Sequence, residues 1–263
     1  LSGLDLGKLD IKRIVNIAIE AGSAVMQIYK GEFEVEYKDD NSPLTKADTL
    51  ANNIICAGLR ELYLDIPIMS EESREVAYEE RRSWEYYWCI DPIDGTKEFI
   101  KKNGEFTINI ALVHGDTPVA GVVYAPARGD LYYAKRGEGA YEYNVYDKIE
   151  PNFIRKLPYI NNEIIKVAVS RSHINPHTQE FVDRLRGEHG EMELVGMGSS
   201  LKLCMVASGE LDIYPRLAPT MEWDTAAADA IVREAGKACY IYDTKDLLIY
   251  NKEDLLNPWF VVR

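Results

Sequence analysis

The chain has 263 residues, 46% apolar and 28% charged, which is enough for one large domain or two lobes sharing a cleft. Its formal net charge of −13 repels nucleic-acid backbones and anionic membranes at long range, so no nucleic-acid partner is expected. No apolar run approaches the ~20 residues of a membrane helix, so no integral membrane segment is expected either.

The first residues, Leu1 to Leu6, lack a basic stretch followed by an apolar one, and no secretory signal is expected. Cys56, Cys89, Cys204 and Cys239 are widely spaced without a CxxC pattern, and read as reduced core residues of a cytoplasmic protein. The charge argues against strong electrostatic attachment to the inner membrane and leaves weak peripheral association open. Oligomeric state is not set by the sequence.

Helical spacing of Ile11, Ile14, Val15, Ala18, Ala21, Val25 and Tyr29 predicts a helix over 10–30, capped by Asp10 and ended by Gly31. Phe33 to Tyr37 alternates as a strand, and Asp39 to Pro43 reads as a loop. A second amphipathic helix is expected from Lys46 to Leu62, with Leu50, Ile54, Ile55, Leu59 and Leu62 inward. Ile66 to Met69 is a short buried strand that ends at Ser70-Glu71-Glu72; Val76 to Ser83 is charged and read as exposed.

Trp84 to Ile90 is a strand leading into Asp91-Pro92-Ile93-Asp94-Gly95-Thr96, where a turn and a helix start are expected. Phe106–Val113, Pro118–Tyr124 and Leu131–Ala134, separated by Gly- and Asp-containing turns, predict an antiparallel meander. Residues 144–163 are polar and read as a lobe boundary. Beyond them come a strand at Ile164–Val169, a helix at Thr178–Arg186, and a strand at Glu193–Val195. A helix at Ser199–Ser208, a strand at Leu211–Tyr214, a helix at Trp223–Ala235 and a strand at Ala238–Tyr242 follow. The expected class is α/β, an α+β lobe (1–150) followed by an α/β lobe (151–263).

Two aspartates three residues apart, beside a proline, a glycine and a helix start, place carboxylates next to free backbone N–H groups. Carboxylates hold hard divalent cations and helix N-termini hold phosphate, so the turn points to phosphoryl chemistry. Taken singly, Asp91 and Asp94 also fit an Asx-turn, and Asp48 and Asp224 fit helix caps. Glu71-Glu72 alone fits a solvated charge pair. The 17 tyrosines read as strand residues rather than a base-stacking platform.

Four short elements stand in a fixed order: Thr45-Lys46-Ala47-Asp48, Glu71-Glu72-Ser73, Asp91-Pro92-Ile93-Asp94-Gly95-Thr96, and Trp223-Asp224-Thr225-Ala226-Ala227. In pattern and order they resemble the inositol monophosphatase superfamily, lithium-sensitive Mg²⁺-dependent phosphatases, across essentially the whole chain. The continuation Lys97-Glu98-Phe99-Ile100, then Asn103 to Leu112, differs from the Thr-Asn-Phe usual in inositol phosphatases. It is similar to the bacterial 3′(2′),5′-bisphosphate nucleotidases of sulfate assimilation. Ser170 to His173, Gly198 to Lys202 and Tyr214-Pro215-Arg216 also resemble that subfamily.

The resemblance implies a layered αβαβα sandwich with the site between the lobes. It implies two or three Mg²⁺ ions held by Glu71, Asp91, Asp94, Asp224 and the Ile93 carbonyl. Asp48 and Thr96 would then form the pair that receives a proton from the attacking water. Gly95 and Thr96 would hold the phosphate, with Asp224 also at the substrate. His173, Ser199, Lys202 and Arg216 would meet the second phosphate, ribose or base, Ser199 and Lys202 from one helix face. For His173, Lys202 and Arg216, a surface or solvated role fits the residues alone.

The implied reaction removes the 3′-phosphate of 3′-phosphoadenosine 5′-phosphate to give AMP, with the sulfated analogue as a further substrate. The alternatives are an inositol or related sugar phosphatase with the same metals, and a catalytically dead nucleotide sensor. A dead site should have lost a ligand or the Asp48–Thr96 pair, and this chain keeps them all.

Overall fold

A computed structural model describes residues 4–37, 43–73, 76–147, 154–170 and 174–263. The elements in chain order begin with α1 (Ile11–Tyr29), β1 (Val35–Tyr37), β2 (Pro43–Thr45), α2 (Lys46–Leu62), β3 (Ile68–Ser70), α3 (Tyr78–Arg81) and β4 (Tyr86–Asp94). Then come α4 (Thr96–Ile100), β5 (Thr107–His114), β6 (Thr117–Ala125), β7 (Asp130–Lys135), β8 (Gly139–Asn144) and β9 (Arg155–Lys156). The chain continues with β10 (Ile165–Ser170), α5 (Pro176–His189), β11 (Met192–Met197), α6 (Leu201–Ser208) and β12 (Tyr214–Arg216). It ends with α7 (Ala226–Glu234), β13 (Cys239–Ile241) and β14 (Phe260–Val262).

Among the described residues, the main sheet runs β3-β4-β5-β6-β7-β8-β9, parallel at β3–β4 and antiparallel elsewhere. The expected meander is its centre, extended by β8 and β9. The sheet therefore draws its last strand from Arg155–Lys156, on the far side of the expected division at 150. A second sheet combines parallel β10–β11 with β12-β14-β13, joined by a bridge between Val167 and Ile213.

Strand alternation sorts the core into layers. Trp88, Ile90, Ile110, Leu112 and Val122 face α1 and α2, whose Ile14, Ala18, Ala51 and Ile55 share that core. Their neighbours Tyr87, Cys89, Ala111, Val113 and Val123 face α6 and α7. Those two helices also cover Tyr214, Phe260 and Val262 of the second sheet. Outermost, Phe181, Val182 and Leu185 of α5 pack on Val167, Val169 and Val261. The result is the expected αβαβα order.

Close approach of α7 to the main sheet depends on Gly121, where an added Cβ would lie 2.1 Å from the Ala227 carbonyl oxygen. The four cysteines are free and buried, as expected. No described helix is long and apolar enough to cross a membrane.

Several local expectations are corrected. Leu50 is 37% exposed, because the inward stripe of α2 is Ala47, Asp48, Ala51, Asn52, Ile55, Cys56 and Leu59. Two polar residues in that stripe face inward for a reason: Asn52 accepts the Ser70 hydroxyl at 2.7 Å, and Asp48 belongs to the site below. Arg81, in the segment read as exposed, is buried, and its guanidinium donates to Asn251 and to the Glu253 carbonyl. The expected helix at Ser199 begins instead at Leu201, because Ser199 sits in the left-handed region with φ 49°. The expected helix at Trp223 is a 3-10 turn, Glu222–Asp224, followed by α7.

Candidate active site

Strand β4 does not end before the Asp-Pro-Ile-Asp segment; it runs through it with one extra residue. Asp91 pairs with Asn109 and Asp94 with Thr107, so three steps on β4 oppose two on β5. In a regular strand, residues i and i+3 point to opposite faces. The bulge resets that alternation, so both carboxylates reach the cleft on the α6/α7 side while the Ile93 side chain packs toward α1 and α2. Gly95, at φ +90°, then turns the chain into α4.

The other carboxylates arrive from separate elements. Glu71 follows β3, whose parallel pairing with β4 is continued by the Glu71 N–H donating to the Ile90 carbonyl at 3.1 Å. Asp224 lies in the 3-10 turn before α7, where its Oδ2 accepts the Met221 N–H at 2.9 Å. One carboxylate oxygen from each of Glu71, Asp91 and Asp224 lies within 4.8 Å of the others. Asp94 sits beside them, its Oδ2 accepting the Ser200 N–H.

Asp48 caps α2 and also reaches across to α4. Its Oδ2 accepts the Thr45 N–H at 2.8 Å and the Thr45 hydroxyl at 2.6 Å, completing a capping box. Its Oδ1 accepts the Thr96 hydroxyl at 3.3 Å. That hydroxyl is shared with the Ile93 carbonyl, also 3.3 Å away. The cap and the candidate catalytic contact are thus two oxygens of one side chain.

Burial and mutual repulsion perturb these acids together. Burial lifts Asp91 well above the usual carboxylate range, helped by the charges of Glu71, Asp94 and Asp224 and a hydrogen bond with Glu71. Asp94 is raised to about 6 by burial, against the lowering effects of the Lys202 charge, the Ser200 N–H and Arg216. Asp224 is raised to about 8 by burial and then by Asp94. Burial also raises Asp48, opposed by its bonds to Thr45.

An all-oxygen donor set whose members repel one another fits a hard divalent cation. A carboxyl–carboxyl hydrogen bond such as Glu71–Asp91 needs a proton where a cation would otherwise sit.

Glu71, Asp91, Ile93, Thr96 and Asp224 line a cleft of about 430 Å³. A neighbouring cavity of about 520 Å³ is lined by Ser199, Lys202, Tyr214 and Arg216, and Asp94, Gly95, Lys97, Glu98, Thr220 and Asp224 line both. Lys202 is buried: its ammonium donates to the carbonyls of Met197 at 3.0 Å and Ser199 at 2.8 Å, and lies 5.2 Å from the centre of the Tyr214 ring. Arg216 donates to the Pro219 carbonyl at 2.9 Å.

Ser199 and Lys202 therefore share a cavity without sharing a helix face. His173 lies outside the described residues, as do Arg171 and Ser172. A larger groove of about 660 Å³, between Leu62–Pro67 and Ser83–Tyr86, holds none of the site residues.

Sequence reasoning passed over Ser200 and the residues that seat it. The Ser200 hydroxyl is 2.8 Å from Thr107 Oγ1 and donates to Asn109 Oδ1 at 2.7 Å, while Glu105 accepts the Gly198 N–H at 2.8 Å. A small polar residue directly before a helix, opposite polar inward positions of the neighbouring strand, was the available signal.

Comparisons with known proteins agree with this architecture. The inositol monophosphatase family profile matches residues 10–258. The Salmonella typhimurium protein named 3′(2′),5′-bisphosphate nucleotidase CysQ is 44% identical over 96% of this chain and 98% of its own length. The crystal structure of CysQ from Bacteroides thetaiotaomicron, described as a bacterial member of the inositol monophosphatase family, superposes with a TM-score of 0.85. Its identity is 44%, over 95% of each chain. The Thermotoga maritima IMPase, at 24% identity and a TM-score of 0.74 over 96% of this chain and 91% of its own, shares the fold. The chain belongs to the inositol monophosphatase family, and its likeness to the bacterial CysQ nucleotidases runs nearly end to end.

Proposed function

We propose that the protein is a Mg²⁺-dependent phosphatase that removes the 3′-phosphate of 3′-phosphoadenosine 5′-phosphate, giving AMP and phosphate, and that also accepts the sulfated analogue. The observation that carries the reading is the meeting of Glu71, Asp91 and Asp224 oxygens beside the Asp48–Thr96 pair, in a chain 44% identical to proteins named bisphosphate nucleotidases.

In this reading Glu71, Asp91, Asp94, Asp224 and the Ile93 carbonyl hold two or three ions. Mg²⁺ bound there supplies the positive charge that acidifies a water and neutralises phosphate oxygens. Thr96 orients that water, and its hydroxyl passes a proton toward Asp48, to which it already donates. Burial makes Asp48 a stronger proton acceptor than an exposed aspartate. Gly95 and Thr96 bind the scissile phosphate at the turn into α4. The neighbouring cavity, with Ser199, Lys202 and Arg216, receives the remainder of the nucleotide and its second phosphate. His173 is carried as a further substrate contact. No cysteine takes part, all four being buried in the core.

Phosphate release from 3′-phosphoadenosine 5′-phosphate and from inositol 1-phosphate, measured at the same Mg²⁺ concentration, tests the assignment. The nucleotide is expected to be preferred in kcat/KM; preference for the inositol ester would overturn it and favour the sugar-phosphatase alternative. Failure to release phosphate from either would leave the nucleotide-sensor reading.

A further inference from the structure

The turn that delivers Asp224 is gripped from outside by the C-terminal segment 249–257. Glu222 is wholly buried, and its oxygens accept the Asn251 N–H at 2.7 Å, the Lys252 N–H at 3.0 Å and the Lys252 ammonium at 2.5 Å. The Asn257 amide donates to the Met221 carbonyl at 2.8 Å and to the hydroxyls of Thr225 at 3.0 Å and Thr220 at 3.3 Å. Backbone bonds reinforce the contact: Glu222 N–H to the Leu255 carbonyl at 3.0 Å, and Asn257 N–H to the Thr220 carbonyl at 2.8 Å. The segment is itself anchored on Arg81, which donates to Asn251 Oδ1 at 2.9 Å and receives the Asn251 amide at its carbonyl at 2.8 Å.

Glu222, Lys252 and Asn257 do not line the cleft of the carboxylate cluster, yet all converge on the few residues that set where Asp224 points. Asp224 is bonded to Met221 within the same turn, so its oxygen follows the turn as a body. Core filling does not explain the choice of residues. A buried ion pair is costly to desolvate, and an apolar side chain of similar volume packs at least as stably. What several donors converging on one carboxylate supply is direction.

We propose that Glu222, Lys252 and Asn257 are positioning residues for the metal centre, holding the Thr220–Thr225 turn so that an Asp224 oxygen meets those of Asp91 and Glu71. The inference rests on the reading of that cluster as the Mg²⁺ site.

Calorimetric titration of Mg²⁺ into the wild type and into Glu222→Gln, Lys252→Met and Asn257→Ala tests it, with melting temperatures taken in metal-free buffer. Loss of a partner that orients a ligand costs about 10–100-fold in metal affinity, and Kd for Mg²⁺ is expected to rise on that scale in each variant. Lys252→Arg, which keeps the charge on Glu222, is expected to stay near the wild type. The Mg²⁺ concentration for half-maximal phosphate release should rise in step with Kd.

A lower melting temperature with unchanged Kd would show a structural role only and overturn the inference. If Glu222→Gln or Lys252→Met does not fold, Asn257→Ala carries the same readout, since it leaves the Glu222–Lys252 pair in place. Absence of Mg²⁺ binding by the wild type would instead overturn the site reading, and the inference with it.

Discussion

Mg²⁺ should stabilise this protein strongly at pH 8 and hardly at all at pH 5.5. Without metal, burial and mutual repulsion raise Asp94 to about 6 and Asp224 to about 8, both from an ordinary 3.8. Between the ordinary and raised values, the folded protein holds protons that the unfolded chain has released. Metal-free stability therefore falls as pH rises from about 4 to 8, each group costing up to ~1.4 kcal/mol per pH unit inside its own window. A cation must displace those protons. From pH 8 to 5.5, the proton on Asp224 alone weakens Mg²⁺ binding by roughly two orders of magnitude, each pKa unit counting for about a factor of ten.

At a Mg²⁺ concentration about 100 times the pH 8 Kd, the stabilisation is ~2.7 kcal/mol. For a protein of this size that is a rise in melting temperature of roughly 5–10 °C. The same concentration at pH 5.5 leaves the ratio to Kd near or below about one, which is worth ~0.4 kcal/mol or less and ~1 °C. The assay is thermal melting at fixed ionic strength, with and without Mg²⁺, at half-unit steps of pH. Equal shifts at both ends of the range, or a larger shift at pH 5.5, would refute the claim that these buried acids are the ligands.

Thr96→Val should lower kcat by about 10²- to 10⁴-fold, the usual range for losing positioned proton transfer, while Thr96→Ser retains most of the activity. Near-wild-type activity in Thr96→Val with loss in Thr96→Ser, measured by steady-state phosphate release, would show that the methyl group rather than the hydroxyl matters. Gly121→Ala should cost about 1–3 kcal/mol by overpacking, since its Cβ would meet the Ala227 carbonyl oxygen at 2.1 Å, and a denaturant midpoint reads the loss. The four buried thiols should resist an aqueous thiol reagent in the folded protein and react together in denaturant. Rapid labelling of any one in the native state would contradict its burial.

Elements with strong periodicity were legible to within a residue or two: α1, α2 and the meander match their expected spans. The carboxylates were legible because Glu71, Asp94 and Asp224 stand at or beside element ends, Asp48 lies in the first turn of α2, and Asp91 shares its Pro- and Gly-containing run with Asp94. Legibility failed where a residue's partner is remote. Arg81 looks like one more charge in a charged stretch, and only the fold supplies Asn251 and Glu253, some 170 residues away. Leu50 fits a helical stripe, but the true stripe carries Asp48 and Asn52, polar residues that periodicity arguments place outward. Ser199 belongs to a pattern that continues into a helix, and its left-handed backbone lies between Gly198, bonded to Glu105, and Ser200, bonded to Asn109 of β5.

The same contrast explains how a site assembled from residues 48, 71, 91, 94 and 224 can be held at ångström tolerance. Asp91 and Asp94 are brought to one cleft by a single bulge, Glu71 is tied to their strand through the adjacent parallel pairing, and Asp48 meets Thr96 across α2 and α4. These are contacts within the first 109 residues. Asp224 comes from the far end of the chain, and its depth depends on how closely α7 approaches the main sheet. The small residues Ala226, Ala227, Ala228 and Ala230, together with Gly121, let that helix lie almost on the backbone of β6. Helix-on-sheet packing sets the height of Asp224, and the grip of segment 249–257 sets its angle. A motif scan finds Asp224; the small-residue face and the buried polar grip, which carry no motif of their own, bring it to Glu71 and Asp91.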